Sequence, residues 1–380
     1  MASRLYGSTR RLYTHVALIL KQLGVAEVIS PTGFGLMALY VSGLILLDAR
    51  QTQTRVSRFL PGRCHDAINR LLRVMPLSTR TLMTLGVRWV KRLDIDGYLC
   101  LDDVIVEKAF AKRLPWAGWT YSWAKRRKLY GLHIVLFIWC SHDGRFRIPV
   151  AFRLWRPKRS CAKGRYLTKL QLAEQMLKEL VSSGLSFDYL AFDTQYTAGW
   201  FTKMIGRLGK VWVGTLHPRT TVVFGGRSQR VNRLATRLKW RKRLGVQAMA
   251  VQVYAPKYGV IRLVVTKNRH GNYEYIVTNE LCADLTTIVM RKRSRWSIET
   301  VFRDTKQYAG LCACQCWVDQ AMVRHVSLVL LTFVVLQLMR MTPQESLAAV
   351  KERWQLAVEQ NGELPPAPLK ACPSHLRPTA

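Results

Sequence analysis

The sequence predicts an α/β protein in which helices pack on a mixed β-sheet, preceded by a helical segment. Two patterns predict this class. Apolar residues recur at intervals of three and four up to residue 93, as in helices. Short β-branched segments then follow, bounded by turn signals and later alternating with helical segments. With 380 residues and 49% apolar content, the chain can bury a large core, and its length indicates two or three domains.

Residues 1–93 are predicted to form a basic helical domain. The helical spacing is clearest at 38–47, 67–74 and 82–90, and prolines separate these stretches. A basic bundle of this kind can carry a helix-turn-helix that reads DNA, which makes 1–93 a candidate DNA-binding domain. A helical cap on the next domain is the alternative interpretation.

Residues 94–219 are predicted to form the first part of the core, from alternating strands and helices. Strands are expected at 98–106, 132–140, 146–154, 187–192 and 211–216, and helices at 166–182 and 199–208. The resulting order is β-β-β-α-β-α-β. This is the order of a ribonuclease-H-like mixed sheet with helices packed on it.

Residues 220–279 interrupt this order and are predicted to be a β-rich basic insertion. Its strands are expected at 250–254, 260–267 and 273–278. No Asp or Glu occurs between Asp193 and Glu274, whereas sixteen Lys and Arg do. Because the charge is concentrated here instead of being spread along the chain, it indicates a surface for a polyanion.

The remaining chain is predicted to complete the core and to add one helix. Residues 280–340 supply the second part of the core, with a helix from residue 295 and a strongly apolar helix at 321–340. Thr-Pro-Gln-Glu at 342–345 is a capping-box pattern with proline at the first helical position. It predicts a C-terminal helix within 341–364, a candidate dimerisation element. The proline-rich tail, 365–380, is predicted to be disordered.

Composition restricts the partner and the compartment. A net charge of +36, with a pI near 10.5, indicates a polyanion such as DNA. Nine cysteines, an odd number, favour reduced thiols in the cytoplasm. The C-x-C-x-C run at 312–316 lacks the paired spacing of zinc sites. The longest apolar runs, 35–47 and 326–339, are shorter than the roughly 20 residues of a membrane span, so no membrane partner is expected.

Carboxylates occur at places where an isolated negative charge is costly. Asp102 and Asp103 interrupt an apolar strand, Asp193 directly follows another, and Glu299 lies on a cationic helix. A buried carboxylate without a partner loses its charge, and a bound divalent cation removes that cost. Oxygen ligands without a His or Cys cluster favour Mg²⁺ or Mn²⁺. Two such ions can activate a water or a 3′ hydroxyl and stabilise the leaving oxygen of a phosphodiester.

The helix at 295–306 places a carboxylate among cations. At about 100° per residue, Arg295, Glu299 and Lys306 share one face. One interpretation is an ordinary i,i+4 salt bridge on a surface helix. The other is a catalytic Glu299 beside cations that hold DNA phosphates.

Further candidate DNA contacts are cationic or combine an aromatic ring with neighbouring cations. Trp240 lies between two cations and is suited to stacking on an unpaired base. The basic run at 125–127 follows aromatic residues and could track a phosphate backbone, with a solvated loop as the alternative. The full set of candidate contacts is Lys125, Arg126, Arg127, Arg237, Trp240, Arg241, Lys292, Arg295, Arg303 and Lys306.

Three segments resemble the DDE transposases of bacterial insertion sequences. They are LDDVIVEK at 101–108, AFDTQY at 191–196 and RWSIETVFRDTKQ at 295–307. The likeness extends from about residue 98 to residue 340 and includes an insertion between the second Asp and the Glu. The last segment is similar to the YREK branch, whose motif spaces Tyr, Arg, Glu and Lys with gaps of two, three and six residues.

The match to that motif is nearly complete. Arg295, Glu299 and Lys306 occupy the Arg, Glu and Lys positions, whereas Lys292 occupies the Tyr position. The first motif of the family is often Asp-x-Thr, and Val104 stands at the Thr position here. This frame favours Asp102 as the first acid, with Asp103 as the alternative.

The resemblance implies a fold, an activity and partners. It implies that Asp102, Asp193 and Glu299 are catalytic and bind two Mg²⁺ (or Mn²⁺) ions. The implied activity is cut-and-paste transposition, in which the protein binds the inverted-repeat ends of an element in double-stranded DNA, cleaves them and joins the 3′ ends to target DNA. It also implies a homodimer in the DNA complex and a bacterial, cytoplasmic protein associated with the nucleoid. The alternatives are a nuclease without strand transfer and a transposase-derived DNA-binding protein without catalysis.

Overall fold

The computed structural model describes residues 2–48, 53–59, 65–109, 114, 116–122, 125–237, 240–243, 246–267 and 271–360. The helices are α1 (Ala2–Gln22), α2 (Pro31–Leu46), α3 (Gln53–Phe59), α4 (His65–Val74), α5 (Thr79–Leu93), α6 (Lys169–Ser182), α7 (Gly199–Arg207), α8 (Val231–Ala235), α9 (Leu285–Ser294), α10 (Trp296–Gln307), α11 (Asp319–Leu338) and α12 (Leu347–Glu359). The strands are β1 (Gly97–Glu107), β2 (Gly118–Ser122), β3 (Arg127–Ser141), β4 (Arg147–Trp155), β5 (Tyr189–Phe192), β6 (Val211–Thr215), β7 (Thr221–Phe224), β8 (Arg227–Arg230), β9 (Arg241–Arg243), β10 (Val246–Ala255), β11 (Gly259–Lys267) and β12 (Tyr273–Thr278).

The core of the sheet has the order β4-β3-β1-β5-β6. β3 runs antiparallel to both β1 and β4, whereas β1, β5 and β6 are parallel to one another. The first three predicted strands therefore form a meander, and the next two extend the sheet beyond β1 through helical crossovers. This arrangement confirms the predicted ribonuclease-H-like α/β class.

The same sheet continues into the strands that follow β6. β12 pairs antiparallel with β6, and the order continues through β11, β10, β7 and β8. β10, β11 and β12 lie where strands were predicted, because their apolar β-branched residues alternate between the two faces. The strands β2, β7, β8 and β9 were not predicted. They are three to five residues long, and β8 and β9 are rich in arginine, so they carry little of the usual strand signal.

Different helices cover the two faces of the core sheet. α6 packs on β3 and β4, where Arg153 donates to Glu179 at 2.6 Å. α10 packs on β1 from the other side, where the hydroxyls of Tyr98 and Ser297 are 3.0 Å apart. Because successive side chains of a strand point to opposite faces, this packing decides the surroundings of each acid on β1.

The N-terminal helices share one continuous apolar core with the rest of the protein. α2 and α4 pack on α11, and the hydroxyl of Tyr40 lies 2.9 Å from Nδ1 of His325. α11 is the one described helix that is long and apolar enough to cross a membrane, and 83% of its most apolar window is buried inside the protein. Its burial is that of a core helix.

The start of the C-terminal helix differs from the prediction. α12 begins at Leu347, and Ser346 caps it by accepting from the backbone N–H of Ala349 at 3.1 Å. The capping box predicted at 342–345 does not form, because Glu345 instead binds Arg353 at 3.0 Å. The apolar side of α12 packs on α1, α2 and α11 of the same chain. The predicted disordered tail, 365–380, lies outside the described residues.

Candidate active site

Two of the predicted catalytic acids are neighbours at the carboxyl ends of parallel strands. Leu101 of β1 is in register with Phe192 of β5, so the next residues, Asp102 and Asp193, lie side by side. Burial, followed by repulsion from Asp193, raises the pKa of Asp102 to about 7. Burial also raises the pKa of Asp193. The pair is therefore held where two negative charges are disfavoured.

Arg295 connects this pair to the third acid. Its Nη1 lies 2.9 Å from Oδ2 of Asp102, and its Nη2 lies 2.5 Å from Oε1 of Glu299. The side chains of Arg295 and Asp102 are only 14% and 17% exposed. The i,i+4 salt bridge predicted as one interpretation is thus present, and it is also part of a contact between α10 and the sheet.

Asp103 points to the opposite face of β1 and has other partners. Its Oδ2 accepts from Lys169 at 2.5 Å, and its Oδ1 accepts from Gln195 at 2.9 Å and from Tyr196 at 3.0 Å. The carboxylate is only 8% exposed and joins β1 to α6 and to the turn after β5. Asp102, not Asp103, faces α10 and Glu299.

The carboxylates have the donor chemistry of a hard divalent cation. Asp102 and Asp193 offer oxygen ligands whose mutual repulsion a cation would relieve. Within the part of the chain that the structure describes, no group of three or more His, Cys, Asp or Glu side chains is already arranged around a metal position. The guanidinium of Arg295 instead lies between Asp102 and Glu299 and donates to both. The residues therefore fit the ion once that guanidinium moves.

Lys292 lies beside the site but turns towards the sheet extension. Its amino group is 3.5 Å from Oε1 of Glu274 on β12, and its side chain is 10% exposed. Burial lowers its pKa, while Glu274 and Asp193 oppose that shift. Lys292, the cation at the Tyr position of the motif, is thus largely buried.

Two further cations of α10 have different surroundings. Arg303 is 58% exposed and donates to the buried Asp304 at 3.0 Å. Lys306 is exposed as a residue, although packing around its amino group lowers its pKa. Both are therefore on the outer side of α10.

The basic run at 125–127 is tied to the end of β1. Lys125 and Arg127 lie 2.6 Å and 2.8 Å from the carboxylate oxygens of Glu107. Arg126 has a φ of 50°, the left-handed conformation of a tight turn. The run is thus anchored to the strand that carries Asp102.

The candidates on the sheet extension lie among its own residues. The rings of Trp240 and Tyr273 are 5.6 Å apart, and Arg237 donates to Gln229 at 3.3 Å. The backbone of Arg241 belongs to β9, but its side chain lies outside the described part of the structure. The residues that surround the acids also include Lys169, Gln195 and Tyr196, which bind Asp103, and Glu274, which binds Lys292; the sequence did not single these out. Only Gln195 and Tyr196 offered a signal, since they directly follow Asp193.

Comparison with solved structures gives two DNA complexes of Ciona intestinalis endonuclease V. One is a variant bound to a 23-mer DNA containing an inosine followed by a ribo-adenosine, with 11% identity and a TM-score of 0.27 over 59% of this chain and 97% of that chain. The other is bound to a 24-mer with the same feature, with 10% identity and a TM-score of 0.27 over 59% of this chain and 99% of that chain. A likeness at this TM-score supports no conclusion about function.

Sequence comparison is more informative. Comparison with curated proteins gave no match. A family model described as DDE superfamily endonuclease matches residues 32–257. The matched residues are more than half of the chain and include Asp102, Asp103 and Asp193, whereas Glu299 lies beyond them. The chain belongs to the DDE superfamily endonucleases.

Proposed function

We propose that the protein is a DNA transposase of the insertion-sequence type, which cleaves the inverted-repeat ends of its element and joins the 3′ ends to target DNA. One observation carries this proposal. Asp102 and Asp193 lie side by side at the carboxyl ends of two parallel strands, and Arg295 bridges Asp102 to Glu299 on α10, although the three acids are far apart in sequence. Membership of the DDE superfamily endonucleases and a net charge of +36 support a substrate of DNA.

The three acids would hold one or two Mg²⁺ (or Mn²⁺) ions. Bound there, such ions supply an activated water or 3′ hydroxyl and stabilise the leaving oxygen. The side chains of the protein orient the substrate. Arg295 can donate hydrogen bonds to a phosphate from both of its Nη atoms. Arg303 and Lys306 place further positive charge on α10. Their action is positioning and charge neutralisation, which contribute most of the catalysis in phosphoryl transfer.

The longer path of the DNA would follow the basic surfaces on either side of the acids. On one side are Lys125, Arg126 and Arg127, anchored through Glu107 to β1. On the other are Lys292 and the sheet extension with Arg237, Trp240 and Arg241. A homodimer would hold the two ends of the element together, in the cytoplasm of a bacterium.

Changing Glu299 tests the proposal. The Glu299→Gln protein is expected to bind DNA that carries the inverted repeats but to make no nick, since the amide keeps the shape and removes the charge. Glu352→Gln, at an exposed position of α12, is the matched control and should nick normally. Unimpaired cleavage by Glu299→Gln would contradict the proposal.

A DNA-binding protein without catalysis is one alternative, and Val104 and Lys292 at the Thr and Tyr positions of the motifs argue for it. A nuclease that cuts without joining is the second candidate. The transposase and the nuclease differ in one reaction. A transposase inserts a pre-cleaved 3′ hydroxyl end into a plasmid, whereas a nuclease leaves that end free. Absence of any metal-dependent nicking would instead favour a DNA-binding protein without catalysis.

A further inference from the structure

The cation that neutralises the candidate active site is part of the protein itself. Arg295 uses one Nη atom for Asp102, at 2.9 Å, and the other for Glu299, at 2.5 Å. A guanidinium has no acceptor atom and keeps its charge at every pH at which proteins are folded. In the protein alone, these carboxylates are therefore already paired.

A divalent ion shared by Asp102 and Glu299 competes with the guanidinium for their oxygens, because Arg295 binds Oδ2 of Asp102 and Oε1 of Glu299, and Oδ1 of Asp102 already accepts from the backbone N–H of Asp103. The two cations would also repel each other strongly, because Arg295 is only 14% exposed and water screens such a pair poorly. Ion binding and the present position of Arg295 therefore oppose each other.

A DNA phosphate offers the guanidinium an equivalent partner. Arg binds carboxylate and phosphate with the same two-pronged geometry. Arg295 stands at the junction of α9 and α10, where the hydrogen bonds Arg295 N–Lys292 O and Ile298 N–Arg295 O span three residues instead of four. The next residue, Trp296, is 62% exposed to solvent. Arg295 therefore precedes the first residue of α10 and lies close to solvent.

We infer that Arg295 is an exchange residue: it occupies the carboxylates until a DNA phosphate takes its guanidinium, and only then do the acids bind the divalent ion. This inference rests on the proposed function. Its consequence is that DNA binding and metal binding reinforce each other, because each removes a competitor of the other.

Binding of Mn²⁺, followed by the loss of the electron paramagnetic resonance signal of the free ion, tests this without any measurement of activity. Without DNA, Arg295→Gln is expected to bind Mn²⁺ on the order of tenfold more tightly than the unmodified protein. Adding a short double-stranded oligonucleotide should tighten Mn²⁺ binding by the unmodified protein by a similar factor, after subtraction of ions bound by the DNA alone. The same addition should change the affinity of Arg295→Gln much less.

Two variants serve as controls for charge and geometry. Arg293→Gln removes the same charge from an exposed position two residues away, and it should behave as the unmodified protein does. Arg295→Lys keeps the charge but is shorter and lacks the planar fork that reaches both carboxylates, so its affinity without DNA should be intermediate.

The outcomes separate the two proposals. The inferred role of Arg295 is wrong if Arg295→Gln binds Mn²⁺ no more tightly than Arg293→Gln does. It is also wrong if DNA increases the Mn²⁺ affinity of Arg295→Gln as much as that of the unmodified protein. If Asp102→Asn and Glu299→Gln leave Mn²⁺ binding unchanged, these acids hold no ion and the proposed function fails first.

Discussion

Lys169 at the start of α6 lies 2.5 Å from Oδ2 of Asp103, on the face of β1 that looks away from Glu299. The two adjacent acids of β1 thus have separate roles in the structure. Asp103 joins secondary-structure elements, whereas Asp102 contacts Arg295 and the side of the sheet that α10 covers.

We therefore expect opposite effects from the two corresponding amide variants. Asp103→Asn should lower the free energy of unfolding by about 1–3 kcal/mol, because Lys169 is left charged and half-buried without its partner. It should keep nicking activity within about tenfold, a change equivalent to roughly 1.4 kcal/mol in the barrier. Asp102→Asn should unfold at nearly the same urea concentration as the unmodified protein and yet make no nick. Activity in Asp102→Asn together with inactivity in folded Asp103→Asn would reverse this assignment.

A second prediction concerns acid stability. His325 is buried, and its Nε2 lies 3.1 Å from the carbonyl oxygen of Gly310, so Nε2 carries the hydrogen and Nδ1 accepts from Tyr40. Burial, and then the charge of Lys108, lowers the pKa of His325 to about 4. In the unfolded chain the ring takes up a proton near pH 6.5, so the stability it contributes is present above pH 6.5 and is lost as the pH falls towards 4. The full loss below both values is about 3 kcal/mol.

The variant His325→Gln isolates this contribution. A glutamine can accept from Tyr40 and donate to Gly310, but it does not titrate in this range. The free energy of unfolding, measured in urea, should therefore decrease less between pH 7 and pH 4.5 in His325→Gln than in the unmodified protein. Equal losses in the two proteins would show that His325 is not the group that titrates.

The sequence allowed the core strands and the helix that carries Glu299 to be predicted because their signals are local. Apolar β-branched runs fix β1, β3 and β4, and helical spacing places Arg295 four residues before Glu299 on one face. Which of Asp102 and Asp103 faces the site cannot be read from local signals. Strand alternation puts adjacent residues on opposite faces, but which face holds the site depends on where α6 and α10 pack.

Tertiary contacts also explain the other failures of prediction. Lys169, the partner of Asp103, is 66 residues away in sequence, and Asp102 is 193 residues from Arg295. The start of α12 was misplaced because Thr342 and Ser346 are both suitable caps, and the contact of Glu345 with Arg353 decides between them. The short arginine-rich strands β8 and β9 form by pairing, β9 with the longer β10 and β8 with β7 of the same length, instead of by their own propensity.

A third prediction concerns the place where the sheet extension returns to the core. Asn279, just after β12, accepts from the backbone N–H of Trp212 at 2.9 Å and donates to the carbonyl of Lys210 at 3.0 Å. Asn279→Ala leaves both backbone groups at the start of β6 without these partners, which should cost about 1–3 kcal/mol in the free energy of unfolding. Asn232→Ala, at an exposed position of α8, should change that free energy by less than about 0.5 kcal/mol. Equal effects of the two variants on urea unfolding would contradict this role of Asn279.

The last prediction concerns Lys292, which contacts the sheet extension and also senses the charge of Asp193. Its amino group is 3.5 Å from Glu274, and the charge of Asp193 acts on it as well. Replacing a half-buried ion pair by an apolar side chain of similar length is often neutral, so Lys292→Met should alter the free energy of unfolding by less than about 1 kcal/mol. Nicking should nevertheless fall by about tenfold or more, since the acids lose a neighbouring cation and the DNA loses a phosphate contact. Lys292→Arg, which retains the charge, should keep most of the activity. If Lys292→Met nicks DNA as fast as Lys292→Arg, the residue only supports the junction of α9 with β12, and its charge has no part in the reaction.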